Sequence, residues 1–262
     1  MKKKLTTVIL LIFHINSFTQ KNIKTNKLVS DFDFTVKNLQ EMHQGLYKYE
    51  DRIITNKKIA NLRSSIQKPM SKLAFYMVLQ KLIAITNEGH TYINLPKATM
   101  IKAGLSKSFL PLSVKFCDKE LIINQNYGKV IKGLQQGDKI LSINGRSIKK
   151  ITNKLFPLMV TDGFNKTSQY EWIGGINLSL LHRLVYGKTK NYIVEIENHQ
   201  TKKIQKLNIP AIRFINFKQK NAKFGKKKFR YNQFETTIIN DSIAYLSIPS
   251  FEIGRASCRE RV

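Results

Sequence analysis

Gly137-Asp138-Lys139-Ile140-Leu141-Ser142-Ile143-Asn144-Gly145 is the stretch on which the fold turns. Gly137-Asp138 introduces a short apolar strand, and Asn144-Gly145 supplies the two positive-φ residues of a tight hairpin turn. Outward from it, the hydrophobic period is two from Phe109 onward, with residues 110–116 and 121–124 predicted to pair around Asp118-Lys119. On the other side a helix is expected near 151–160, ended by Thr161-Asp162-Gly163. Residues 192–196 and 204–209 then read as a closing hairpin. Strands around one or two helices thus make a β-rich module over residues 105–213.

Upstream, residues 28–100 read as a helical cap. Ser30 is placed to cap a first helix carrying Asp31 and Asp33 in its first turn, where carboxylates suit the helix dipole. Phe32, Val36, Leu39 and Met42 or His43 follow at helical spacing until Gly45. A second helix carries Ile59, Leu62 and Ile66 and ends before Pro69. Ser71 caps a third, with Phe75, Val78, Leu79, Leu82 and Ile83 inward, closing at Asn87-Glu88-Gly89. Residues 91–95 are expected to form a strand. Downstream, 214–232 is a basic linker, and residues 237–239 and 243–248 open a new sheet in a segment running from 233 to 251. The predicted class is α+β.

Both ends stand apart from this body. Lys2-Lys3-Lys4, an apolar run from Val8 to Phe13 and a small-residue site at Ser17 and Thr19 compose a secretory signal peptide over residues 1–19. Export to the periplasm or the exterior is therefore expected, with no stable membrane insertion after cleavage. No later apolar run approaches the roughly 20 residues of a membrane-spanning helix. At the other end, residues 252–262 hold 3 of the 9 arginines, and their back-translation resembles a sequencing adapter. The expectation is a natural chain interrupted near Phe251, with Cys117 its only authentic thiol.

The net charge of +28 raises the question of a nucleic-acid partner. Lysines outnumber arginines fourfold, however, and Asn and Ile are abundant, as A/T-rich codons would give. Arginine, the usual reader of phosphates and base edges, is scarce. No nucleic-acid partner is expected. His14, His43, His90, His182 and His199 contain no i, i+4 pair and there is no CxxC, so zinc is unsupported. Dinucleotide, Walker and GxSxG motifs are missing, and no cofactor is expected. Cys117, on a strand, reads as a buried packing residue.

Three segments carry chemistry in order: His43-Gln44-Gly45-Leu46-Tyr47, Glu88-Gly89-His90-Thr91, and the 137–145 strand and turn. Together they resemble the N-terminal half of the C-terminal-processing (tail-specific) serine peptidases, in the branch related to the tricorn core protease. That family has an HPGLY-like helix end, a GDGHT-like turn and a PDZ-like module with a GDxILSINGxxI strand. After a linker, a strand like Ile243-Ala244-Tyr245-Leu246-Ser247-Ile248 opens its catalytic core. Gln44 replaces the family's proline, and Asn87-Glu88 stands where Gly-Asp is usual.

The resemblance implies an exported serine endopeptidase acting on proteins or peptides near their C-termini. A serine hydroxyl attacks an amide only when a base takes its proton and N–H groups hold the oxyanion. His90 matches the position from which the tricorn-like branch draws that base; other branches use a lysine from the half that follows. Without family context His90 reads as a polar turn residue and His43 as a helix-end capping or packing residue. The nucleophile lies beyond the last strand, so Ser250 and Ser257 do not fill that role, and the chain as printed is expected to be inactive. The PDZ-like module would add a peptide C-terminus as a strand. Residues 105–110 are the nearest candidate for its carboxylate loop, with Lys107, Phe109 and Leu110 contacting the peptide. The alternative is an exported, non-catalytic PDZ-like peptide-binding protein.

Overall fold

The computed structural model describes residues 22–217 and 235–248, which fall into two compact units divided after Phe214. The segments read from sequence as a signal peptide (1–19), as most of the basic linker and as an adapter-like tail lie outside the described residues. The architecture is α+β, with helices against an antiparallel sheet.

The first unit opens with α1 (Thr25–Met42), α2 (Arg52–Ser64) and α3 (Lys72–Ala84). Their apolar stripes converge on Leu28, Phe32, Leu39, Ile59, Ile66, Phe75, Leu82 and Ile83, all buried. Ser71 caps α3 as expected, accepting the Ala74 N–H at 3.2 Å, a contact worth about 1 kcal/mol. Ser30 is not a cap. The helix starts six residues earlier, at Thr25, because Leu28 and Phe32 extend the buried stripe, and Ile23 bridges to Met70 ahead of it. Asp51, which no stripe marks, caps α2 through the Ile53 N–H at 2.7 Å.

Residues 91–95 form no strand. Burial alternates along them, but they pair with no neighbouring strand and run through Pro96 into α4 (Lys97–Gly104), a helix the sequence pattern does not announce. Tyr92 is 69% exposed.

The sheet orders as β1-β2-β3-β5-β6, with β4 paired to β3. β1 (Leu112–Cys117) and β2 (Glu120–Asn126) join through Asp118-Lys119, both at positive φ. β3 (Lys139–Ile143) and β4 (Arg146–Ser147) join through Asn144-Gly145, at φ 50° and 73°. β5 (Asn191–Glu197) pairs with β6 (Ile204–Pro210) over their full length. Asn144 also acts as a spare rung: its N–H donates to the Ile193 carbonyl and its Oδ1 accepts the Ile193 N–H, at 2.7 and 2.8 Å.

Three helices cover one face of the sheet. The helix expected at 151–160 begins earlier, as α5 (Ile148–Leu155), with Ser147 as its cap, and tightens into a 3-10 turn at Phe156–Leu158 around Pro157. α6 (Thr167–Ile173) and α7 (Asn177–Tyr186) complete the layer. The buried face of α7 holds Leu178, Ser179, His182 and Arg183, a polar mixture that hides its helical period. Cys117 is exposed, not packed; it is the last residue before the β1–β2 turn, where the strand leaves the core. The second unit shows a hairpin, β7 (Glu235–Ile239) and β8 (Ile243–Ser247), turning at Asn240-Asp241 with both residues at positive φ.

His182 is 1% exposed between Tyr186 and Tyr192, and neither ring nitrogen has a hydrogen-bond partner among the described residues. Burial, and secondarily the Arg146 charge, push its pKa down to about 4. The unfolded chain binds a proton near pH 6.5 that the folded chain refuses until about 4. This contribution to stability is complete above 6.5 and is lost as pH falls through that window. Urea unfolding at pH 7.5 and 4.5 is expected to show about 2–3 kcal/mol of pH-dependent loss in the native chain that His182→Leu abolishes. An equal pH dependence in both would show that His182 protonates freely in the fold.

Candidate functional site

The turn of residues 87–91 sits between the helical layer and the sheet module. Asn87 ends the α3 segment at φ 49°, and Glu88 folds back over the turn. Its Oε1 accepts the His90 N–H at 3.1 Å and its Oε2 accepts the Thr91 hydroxyl at 2.6 Å. The Thr91 hydroxyl, then the His90 amide, hold the Glu88 carboxyl below its ordinary range, opposing the effect of partial burial. Because Thr91 donates to Glu88, its oxygen is free to accept from His43 Nε2 at 2.9 Å. Nε2 is thus the donor of this pair, while the buried Nδ1, packed against Gly45, has no hydrogen-bond partner among the described residues.

The module holds the same turn from the other side. Asp162 Oδ1 accepts the Gly89 N–H at 2.7 Å, and the Gly163 N–H donates to the Asn87 carbonyl at 2.8 Å. A Cβ on Gly89 would lie 3.0 Å from both Asp162 carboxylate oxygens, so glycine is what allows the carboxylate to reach the amide. The result is a five-residue turn whose backbone is tied down on two sides.

His90 projects from this turn. It is exposed, and among the described residues its ring makes no hydrogen bond. His43 belongs to the support: it is nearly buried, at 14% side-chain exposure, and reaches the turn through Thr91. Sequence spacing alone did not mark Asp162 as a partner of Gly89; only the GHT-like segment itself was visible. A cavity of 490 Å³ borders Asn87, Phe156 and Met159 but does not include His90.

The three residues assigned to peptide binding are dispersed in their exposure. Lys107 is exposed, whereas Phe109 and Leu110 are 1% and 0% exposed and form part of the packing. Phe109 stacks on Phe214, with ring centroids 5.4 Å apart. The N–H groups of Ser108 and Phe109 both donate to the Ile212 carbonyl, at 3.1 Å each, and so are already engaged within the chain. At the sheet edge, Val114 exchanges two backbone hydrogen bonds with Gly175, at 3.1 and 2.7 Å. Gly175 adopts φ +63°, in the left-handed region that glycine enters without strain. Among the described residues no cluster of three His, Cys, Asp or Glu is disposed to hold a metal, and no helix is long and apolar enough to cross a membrane.

No family model matches the chain, and no curated protein matches it in sequence. Solved structures of CPAF, a chlamydial serine protease, show a distant likeness to this chain. Mature CPAF shares 10% identity at a TM-score of 0.46, over 85% of this chain and 46% of that one. A CPAF mutant with serine replaced by alanine gives 12% and 0.49, over 85% and 47%. Mature CPAF complexed with lactacystin gives 10% and 0.46, over 71% and 34%. The chain thus spans less than half the length of each, and at these TM-scores no residue role is carried across.

Proposed function

We propose that this chain is the N-terminal portion of an exported serine endopeptidase that cleaves proteins or peptides near their C-termini. In this reading the sheet module is PDZ-like, and β7 and β8 open the catalytic core. The observation that carries it is the doubly anchored turn of residues 87–91, which fixes the backbone of His90 while its ring makes no hydrogen bond among the described residues. A general base needs that combination, a set position and a free nitrogen, to meet a hydroxyl supplied from elsewhere. His90 would take the proton of a serine lying beyond residue 251 and return it to the leaving amine. Glu88, Thr91, His43 and Asp162 position the turn. The Ser108 and Phe109 amides, the donors a peptide carboxylate would need at this loop, are engaged with Ile212. That counts against peptide capture there in either reading and leaves the turn of residues 87–91 as the support for the enzyme over the binding-only alternative.

The test is the chain extended through its downstream codons, assayed on fluorogenic peptides. His90→Ala is expected to lower kcat by about 10²–10⁴-fold with KM little changed. Retention of full kcat would assign the base to another residue.

Asp162→Ala removes one anchor of the turn without touching the chemistry. The expected outcome is a fall in kcat of about tenfold with a modest loss of Tm. Unchanged kcat in a folded Asp162→Ala enzyme would mean that the turn does not position the base.

A further inference from the structure

A second cavity, of 440 Å³, lies where the start of α3, the body of α4 and the end of α7 meet. Among the described residues its charged lining is Lys72, Lys102, Arg183 and Lys188, with Thr99 the one hydroxyl and no acidic residue. Arg183 is the unusual member. It is 6% exposed, yet its guanidinium meets no carboxylate among the described residues. Nε donates to Ser108 Oγ at 2.6 Å, Nη2 donates to Ser106 Oγ at 3.3 Å, and the plane lies 4.9 Å over the Phe109 ring. Neutral hydroxyls and a ring orient the group but do not balance its charge.

A buried guanidinium is costly unless a counter-charge completes it. Arg183 lies in the last turn of α7, where the helix dipole offers roughly half a unit charge. That falls short even of Arg183 alone, and Lys72 and Lys188 add two more exposed ammonium groups without an ion-pair partner among the described residues. The volume falls in the range of small-molecule sites, about 300–1,000 Å³, and Leu73, Ala98 and Ala103 supply an apolar wall.

We propose that this cavity is a binding site for a small organic ligand bearing a phosphoryl group. The phosphoryl oxygens face Arg183, and Lys72 and Lys188 close over them from the rim. A dianionic phosphoryl group is favoured over a single carboxylate because the lining offers several cations and no counter-charge. The Ser106–Ser108 hydroxyl pair, at 2.7 Å, holds the guanidinium plane in place for this contact.

The experiment is isothermal titration calorimetry on the full chain with pyrophosphate as the phosphoryl probe and citrate as the polycarboxylate probe, at matched ionic strength. Pyrophosphate is expected to bind saturably at one site and more tightly than citrate. Lys188→Glu and Lys72→Glu, both at exposed positions, are expected to weaken it at least tenfold, and Arg183→Gln to abolish it. Lys149→Glu, on α5, serves as a charge-matched control and is expected to leave binding unchanged. If Arg183→Gln does not fold, the two lysine variants carry the test. Absence of saturable binding, tighter binding of citrate, or equal weakening by Lys149→Glu would each overturn the proposal.

Discussion

The carboxylate of Asp138 is wholly buried, and the sheet is organised around satisfying it. One oxygen accepts the Gln135 N–H at 2.8 Å, closing the turn before β3. The other gathers Asn198 Nδ2 and, from His199, both the backbone N–H and Nδ1, all at 3.0–3.2 Å. A charge out of water costs several kcal/mol unless its lone pairs are filled, so the loop after β5 and the turn before β3 are held in one arrangement. That arrangement sets β3 between β2 and β5 and directs Ile140 and Ile143 into the core with Val194 and Ile196. Burial already forbids a one-residue slip, which would turn Ile140 and Ile143 out of the core; the carboxylate adds a directional polar tie to the same register.

From that sheet the molecule reaches the helical layer through α5 and the segment that follows it. Val160 packs with the helical cluster, Gln80 donates to the Leu158 carbonyl at 3.0 Å, and Asp162 and Gly163 grip the 87–91 turn. The two apolar clusters are thus joined by one packed valine and a few polar contacts, two of which hold one short loop. A side chain on such a loop inherits the rigidity of both layers while staying in solvent, which suits a group that must meet a partner and not pack against one.

The hairpins were legible in the sequence because their turns are chemical statements: Asn-Gly, Asp-Lys and Asn-Asp occupy the positive-φ corners, and apolar residues flank them at period two. Ser71 announced its helix for the same local reason. What was hidden depends on distant partners. The inward face of α7 carries His182 and Arg183, whose burial follows from Tyr192, Phe109 and two serines far along the chain. Residues 91–95 alternate correctly but have no strand to pair with. At the site, the sequence marked His90, yet Asp162 stands 73 residues from its partner Gly89, and His43 stands 48 from Thr91. No local pattern connects residues that only the fold brings together.

The pairing of Val114 with Gly175 has a consequence for any guest of the sheet. The outward backbone groups of Val114 are those a strand added to β1 would use, and the turn between α6 and α7 already holds them. Such a guest meets a competitor tethered at effectively high local concentration. It gains access only in the fraction of molecules whose turn has swung away. Its apparent affinity is the intrinsic one scaled by that fraction, so strengthening the tether weakens the guest without altering any contact the guest itself makes.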